Sequence, residues 1–65
     1  MVRIKDLKQG EFFTLKPIAE PKENQVWVRG EYDRSTKTYE AYNFSDVNRY
    51  RNFKGTKEVY TEFVF

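Results

Sequence analysis

Apolar and polar residues alternate along most of this chain with a period of two. That is the period of an extended strand, whose successive side chains point to opposite faces. Residues 25–32 show it best: Val26, Val28 and Tyr32 share one face, and Trp27, Arg29 and Glu31 the other. Residues 37–44 repeat the alternation, so the two runs predict a β-hairpin around Asp33, Arg34, Ser35 and Thr36. Two registers satisfy the pattern. If Tyr32 faces Lys37, then Val28 faces Ala41, Trp27 faces Tyr42 and Arg29 faces Glu40. A loop longer by one residue sets Val28 opposite Tyr42 and Val26 opposite Phe44. Gly30, in mid-strand, predicts a bulge or a sharp bend.

The rest of the chain reads in the same way. Residues 2–7 predict an edge segment, and residues 8–10 a turn in which Gly10 takes a positive φ. Residues 11–16 predict a strand with Phe13 and Leu15 on one face. Pro17 and Pro21 bracket a loop, because proline has no N–H to give a central ladder. Ser45 is a candidate N-cap for one helical turn or a tight loop over 45–48. Strands follow over 49–54 and 58–65, with a turn between them. In the last, Val59, Thr61, Phe63 and Phe65 share a face. No long amphipathic helix is predicted, and no repeat or linker interrupts the chain. The expected fold class is all-β: a small SH3-like barrel, or a strongly bent antiparallel sheet of roughly five to six short strands. An OB-like arrangement ranks second, because its strands and usual helix need more chain.

Composition says what must hold such a fold together. The chain has 65 residues, enough for a single domain over 1–65. A domain of this size buries only about 60% of the surface its unfolded form exposes. Disulfides, metal or a partner subunit usually supplement so small a core. Cysteine and histidine are both absent. Disulfides are therefore excluded, and a structural zinc site lacks its usual ligands. What remains is self-association and large rings: six Phe, five Tyr and one Trp.

Charge narrows the partners less. Lys and Arg number 12 and Asp and Glu 10, a net charge of +2. That balance alone announces neither a nucleic acid nor a membrane. No apolar run approaches the length of a membrane span, and residues 1–6 lack the apolar stretch of a secretion signal. The expected location is cytoplasmic.

Candidate chemistry is sparse. There is no glycine-rich phosphate loop, no histidine and no cysteine. Glu11, Glu31, Glu40, Glu58 and Glu62 alternate with apolar residues, the pattern of a solvated outer face that protects sheet edges. A domain of this size has little room for a ligand pocket of ~300 Å³ or more. The expectation is a protein that is not an enzyme and uses no cofactor or metal.

Two surfaces are candidates for binding instead. In the first, Trp27, Arg29 and Tyr42 lie on the face opposite the valines. An exposed tryptophan beside an arginine is typical of a protein-binding hot spot. Packing of Trp27 against the loop with Pro17, Ile18 and Pro21 is the plainer alternative. The second is the stretch over residues 47–57, which holds Arg49, Arg51, Lys54 and Lys57, no acid, and the rings of Tyr50 and Phe53. Cations that meet phosphates and rings that stack on unpaired bases suit nucleic acid. Its plainer alternative is an ordinary strand with rings inward and cations outward. The segment 33–36 is explained by turn chemistry, since Asp33 can bond the backbone ahead of it.

The run Val28-Arg29-Gly30-Glu31-Tyr32-Asp33-Arg34-Ser35, followed by Tyr39 and Asp46-Val47-Asn48, resembles a group of short uncharacterised phage and prophage proteins of gut bacteria. The opening Leu7-Lys8-Gln9-Gly10-Glu11-Phe12-Phe13 resembles the first hairpin of many phage-borne small barrels. The resemblance implies an origin and a small β fold, and no catalytic residue. Taken with the two surfaces, it leads to an interaction module that binds a protein. A nucleic-acid binder built on Arg49, Tyr50, Arg51, Lys54 and Lys57 is the first alternative. A homo-oligomer joined through the edge at 58–65 is the second.

Overall fold

The hairpin foreseen around Asp33 is the longest ladder in the molecule. A computed structural model describes residues 1–65. Six strands follow one another: β1 (Val2–Arg3), β2 (Phe12–Phe13), β3 (Trp27–Asp33), β4 (Thr38–Asn43), β5 (Tyr50–Lys54) and β6 (Glu58–Val59). Single 3₁₀ turns stand at Ile4–Asp6 and Glu23–Gln25. The chain is all-β, with two antiparallel sheets: β1 pairs with β6, and the larger sheet runs β2-β3-β4-β5. An isolated bridge between Thr14 and Tyr60 joins them. The ladders do not close into a barrel, because β5 is a terminal strand of the larger sheet.

The longer-loop register, with Val28 opposite Tyr42 and Val26 opposite Phe44, holds at the base of the hairpin and fails beyond Gly30. At the base, Val28 faces Tyr42 and Trp27 faces Asn43. Beyond the register shift between Arg29 and Tyr32, Tyr32 faces Tyr39 and Asp33 faces Thr38. Gly30 and Glu31 together oppose Glu40, which is a bulge. A Cβ on Gly30 would stand 3.2 Å from the Glu40 carbonyl oxygen, closer than a side chain sits comfortably. The loop therefore lies one residue further along than foreseen, and Lys37 closes it with a positive φ of 57°. Gly10 takes φ 93° in its turn, as the sequence predicts.

The main core lies between the sheets. Ile4, Leu7 and Val59 meet Phe13, Trp27 and Ala41, with Tyr39 and Phe53 packed at the margin. Val26 and Val28 are buried as well, but outside that cluster. Above them, on the other face of the larger sheet, three rings meet edge to face. Phe12 and Phe44 are 5.4 Å apart, Phe44 and Phe65 4.9 Å, and Phe12 and Phe65 6.0 Å between ring centres. Phe44 is held there by its amide, which donates to the Val26 carbonyl at 2.9 Å. Both faces of the larger sheet are thus covered, which explains why valines and tryptophan are buried together.

Two segments after the hairpin depart from the sequence reading. The strand expected over 58–65 ends at Val59, apart from the Tyr60 bridge. Beyond it, the Val64 amide donates to the Ala19 carbonyl at 2.9 Å and Phe65 joins the ring cluster. Side-chain packing holds this tail where a ladder was expected. Glu58, Val59 and Tyr60 pair inside the chain with Arg3, Val2 and Thr14. The segment 45–48 is a turn without a helix, and Ser45 is not its cap. Ser45 instead donates its amide and its hydroxyl to the Asn43 side-chain oxygen, at 3.1 and 2.7 Å.

Candidate anion-binding groove

An open groove of ≈ 660 Å³ runs along the start of β5, between that strand and the loop after β2. It is larger than the sequence reading allowed. It lies outside the core, between the open sheet edge and a proline-bounded loop, so its size is not limited by the small interior. Lys16, Arg49 and Arg51 line it, and no acid does. Asn24, Gln25 and Asn48 add side-chain amides, which offer both donors and acceptors. Trp27 and Tyr50 add rings.

Buried Asn43 holds two walls of this groove. Its Nδ2 donates to the Asn24 carbonyl at 2.9 Å, and its Oδ1 accepts from Ser45. Asp46 continues the turn by accepting from the Asn48 amide at 3.0 Å. Arg49 is then clamped through its backbone: its amide donates to the Asp46 carbonyl at 3.0 Å, and its carbonyl accepts from the Asn43 amide at 2.8 Å. The opposite wall is set by Thr14, fully buried, whose hydroxyl donates to the Lys16 carbonyl at 2.6 Å. These bonds fix where Lys16 and Arg49 emerge, and the β4–β5 ladder places Arg51. Those at Asn43, Asp46 and Thr14 use side-chain groups, and those at Arg49 use the backbone.

The side chains then carry positive charge over an aromatic floor. The Arg49 guanidinium carbon lies 6.0 Å from the centre of the Trp27 ring, at the outer limit of a cation–π contact. Trp27 is only 7% exposed and belongs to the main core. Arg51 faces Ala41 across the ladder, on the same side of the sheet as Trp27. Tyr50 turns to the opposite face and is 64% exposed. No acidic side chain lines the groove, so anions entering here would meet the positive field of Lys16, Arg49 and Arg51.

The surface foreseen from Trp27, Arg29 and Tyr42 is not assembled. Trp27 is buried, and the observed register sets Tyr42 opposite Val28, on the far face from Trp27 and Arg29. Arg29 is half-buried and committed inside the molecule. Its Nη1 donates to the Gly30 carbonyl at 2.8 Å, and its guanidinium lies 4.5 Å from the Tyr39 ring centre. Its Nε is buried without a hydrogen-bond partner. Of the second candidate set, Arg49, Tyr50 and Arg51 line the groove. Lys54 lies at the far end of β5, opposite Thr38, and Lys57 in the turn beyond, so both stand outside it. The sequence reading missed Lys16, Asn24, Gln25 and Asn48. Lys16 was expected to end a strand over 11–16, but the ladder stops at Phe13 with a single bridge at Thr14, so Lys16 stands in the loop beside Pro17.

No acid cluster in the chain could hold a metal ion, and no helix is long and apolar enough to cross a membrane. No family model matches the chain, and no curated protein or solved structure is detectably similar to it.

Proposed function

We propose that this protein binds single-stranded nucleic acid in the groove along β5, without catalysis. One observation carries the reading: Lys16, Arg49 and Arg51 converge on a groove free of acids, with Trp27 and Tyr50 beside them. Phosphates suit the cations and unpaired bases suit the rings. The amides of Asn24, Gln25 and Asn48 can bond base edges, which are exposed only when a strand is unpaired. We read the two sheets, joined at Thr14 and Tyr60, as an open relative of a small SH3-like barrel, and the setting as cytoplasmic.

Trp27 is the single tryptophan, so its fluorescence reports directly on the groove. Titration with single-stranded oligonucleotides should change its emission at low salt. Three phosphate contacts would give a slope of about −2 for log affinity against log salt. Absence of binding at low salt, or affinity indifferent to salt, would dismiss the reading.

A protein-binding reading stands second, on a different observation. β5 is a terminal strand of the larger sheet, and its outer edge is unpaired. With Arg49, Arg51 and Lys54 along it, this edge suits an extended acidic peptide added as a further strand. Competition separates the two. An acidic peptide that binds while oligonucleotides do not would install this reading.

A further inference from the structure

The groove accounts for Arg49, Arg51 and Trp27 but not for the face beside it. One row crosses the four-stranded sheet: Phe12 on β2 faces Val28, Val28 faces Tyr42, and Tyr42 faces Tyr50. Phe44 and Phe65 extend the row at the same end of the sheet. Phe12 and Phe44 are each 40% exposed and Phe65 50%, so the rings cover Val26 and Val28 and still present ring surface to solvent. Tyr50 belongs to both features: it lines the groove and ends the row. Glu40 and Asn52 form the next row on this face and replace rings with polar groups. The ring surface is therefore confined to the end of the sheet that adjoins the groove.

We propose that a single strand held by its phosphates at Arg49 and Arg51 passes Tyr50 and lays its next bases across this face, on Tyr50, Tyr42 and the Phe12–Phe44–Phe65 cluster. This rests on the nucleic-acid reading of the groove and specifies its ligand: an unpaired strand of several nucleotides, in place of a mononucleotide or a duplex. Dimensions agree. The row spans three strand spacings, about 14 Å, and an open four-stranded sheet bearing rings has room to stack about two or three bases. Charge agrees as well, since the cations lie at one end of the row and Glu40 lies beyond it. A duplex fits poorly, because its bases are stacked on one another and unavailable to the rings.

The experiment measures affinity for oligothymidylates and oligouridylates of two, four and eight nucleotides, in the intact chain and three variants. Arg51→Gln tests the groove. Tyr42→Val and Phe44→Leu keep the face apolar but remove a ring, and circular dichroism verifies that each folds. In the intact protein, affinity should climb steeply from two nucleotides to four and little thereafter. Each ring variant should lower affinity for the longer strands by about 5- to 100-fold and leave the dinucleotide unchanged. Thymidylates and uridylates should respond alike to the ring variants, because stacking on rings tolerates any base. Amide shifts of the intact protein, bound to the four-nucleotide strand, should include Phe12, Tyr42, Phe44 and Phe65.

Should Arg51→Gln weaken all lengths while neither ring variant matters and the face shows no shifts, the strand stays in the groove. That overturns this inference and keeps the functional reading. Should no oligonucleotide of any length bind at low salt, both fall together. A concentration-dependent dimer that Tyr42→Val or Phe44→Leu dissociates, with strand affinity intact, would assign the face to a second copy and overturn the inference.

Discussion

The Arg49 guanidinium stands 6.0 Å from the Trp27 ring centre, so an exposed charge of the groove rests over the less exposed of its two rings. The arrangement divides the labour: Trp27 belongs to the core and Arg49 to whatever enters. Arg49→Gln should leave folding nearly intact, because the residue is fixed by its backbone. It should lower strand affinity and reduce the salt slope by about 0.7, the share of one phosphate contact on a single strand. Trp27 fluorescence against salt measures both quantities. An unchanged slope would mean that Arg49 does not touch phosphate.

Asn43 should be costlier to lose than any cation of the groove. It is fully buried and satisfies the Asn24 carbonyl on one wall and Ser45 on the other. Asn43→Ala leaves these partners without their bond and should cost about 1–3 kcal/mol for each one that stays buried and unpaired. Asn43→Asp keeps the acceptor for Ser45 but loses the donor to Asn24 and buries a charge, so it should not rescue. Urea unfolding gives the stabilities. A loss below about 0.5 kcal/mol for Asn43→Ala would show that water replaces the side chain.

The hairpin was legible from sequence because period-two alternation is a direct image of a strand. Its register was legible only at the base, as one of two alternatives, because a bulge at Gly30 changes the pairing part-way along, and alternation on either side of a bulge looks the same. Burial of Trp27 was illegible for a related reason. Alternation shows that Val26 and Trp27 point to opposite faces, but not that both faces are covered. Ile4, Leu7 and Val59 cover Trp27, and Phe44 and Phe65 cover the valines, all brought from other parts of the chain. The groove was half legible. Arg49, Tyr50 and Arg51 stand in one run, whereas Lys16 reaches the site from a loop fixed by Thr14. The last strand was overread: extended residues pinned by side chains carry the same alternation as residues in a ladder.

Glycines 10 and 30 are needed for different reasons, and substitution separates them. Gly10 has φ 93° with open space where a Cβ would stand. Gly10→Ala should cost about 1–2 kcal/mol through backbone strain alone. Gly30 has an ordinary φ but little room beneath the Glu40 carbonyl. Gly30→Ala should be borderline, and Gly30→Val should cost about 1–3 kcal/mol through overpacking. Replacing Gly10 with a D-alanine by chemical synthesis should restore stability. The same D-residue at Gly30 should not. Equal responses at the two sites would refute the distinction.

The hairpin loop carries the one carboxylate displaced from its ordinary behaviour. The Ser35 hydroxyl donates to the Asp33 carboxylate at 2.7 Å and the Ser35 amide at 2.9 Å. Hydrogen bonds from the Ser35 side chain, and then from its backbone, favour the charged form and hold Asp33 below its ordinary value of 3.8. A carboxylate whose folded value lies below its unfolded one stabilises the fold above the unfolded value. That contribution fades as pH falls through the folded value. The loop should therefore hold its form at pH 4 and loosen only below 3.8. An NMR titration of the Ser35 amide should show a midpoint under that value. Added salt should move it little, because the cause is direct hydrogen bonding and not distant charge. Ser35→Ala should raise the midpoint, since it removes the largest cause and leaves the amide bond. A midpoint at the ordinary value in the intact chain would mean that the Asp33–Ser35 bonds do not persist in solution.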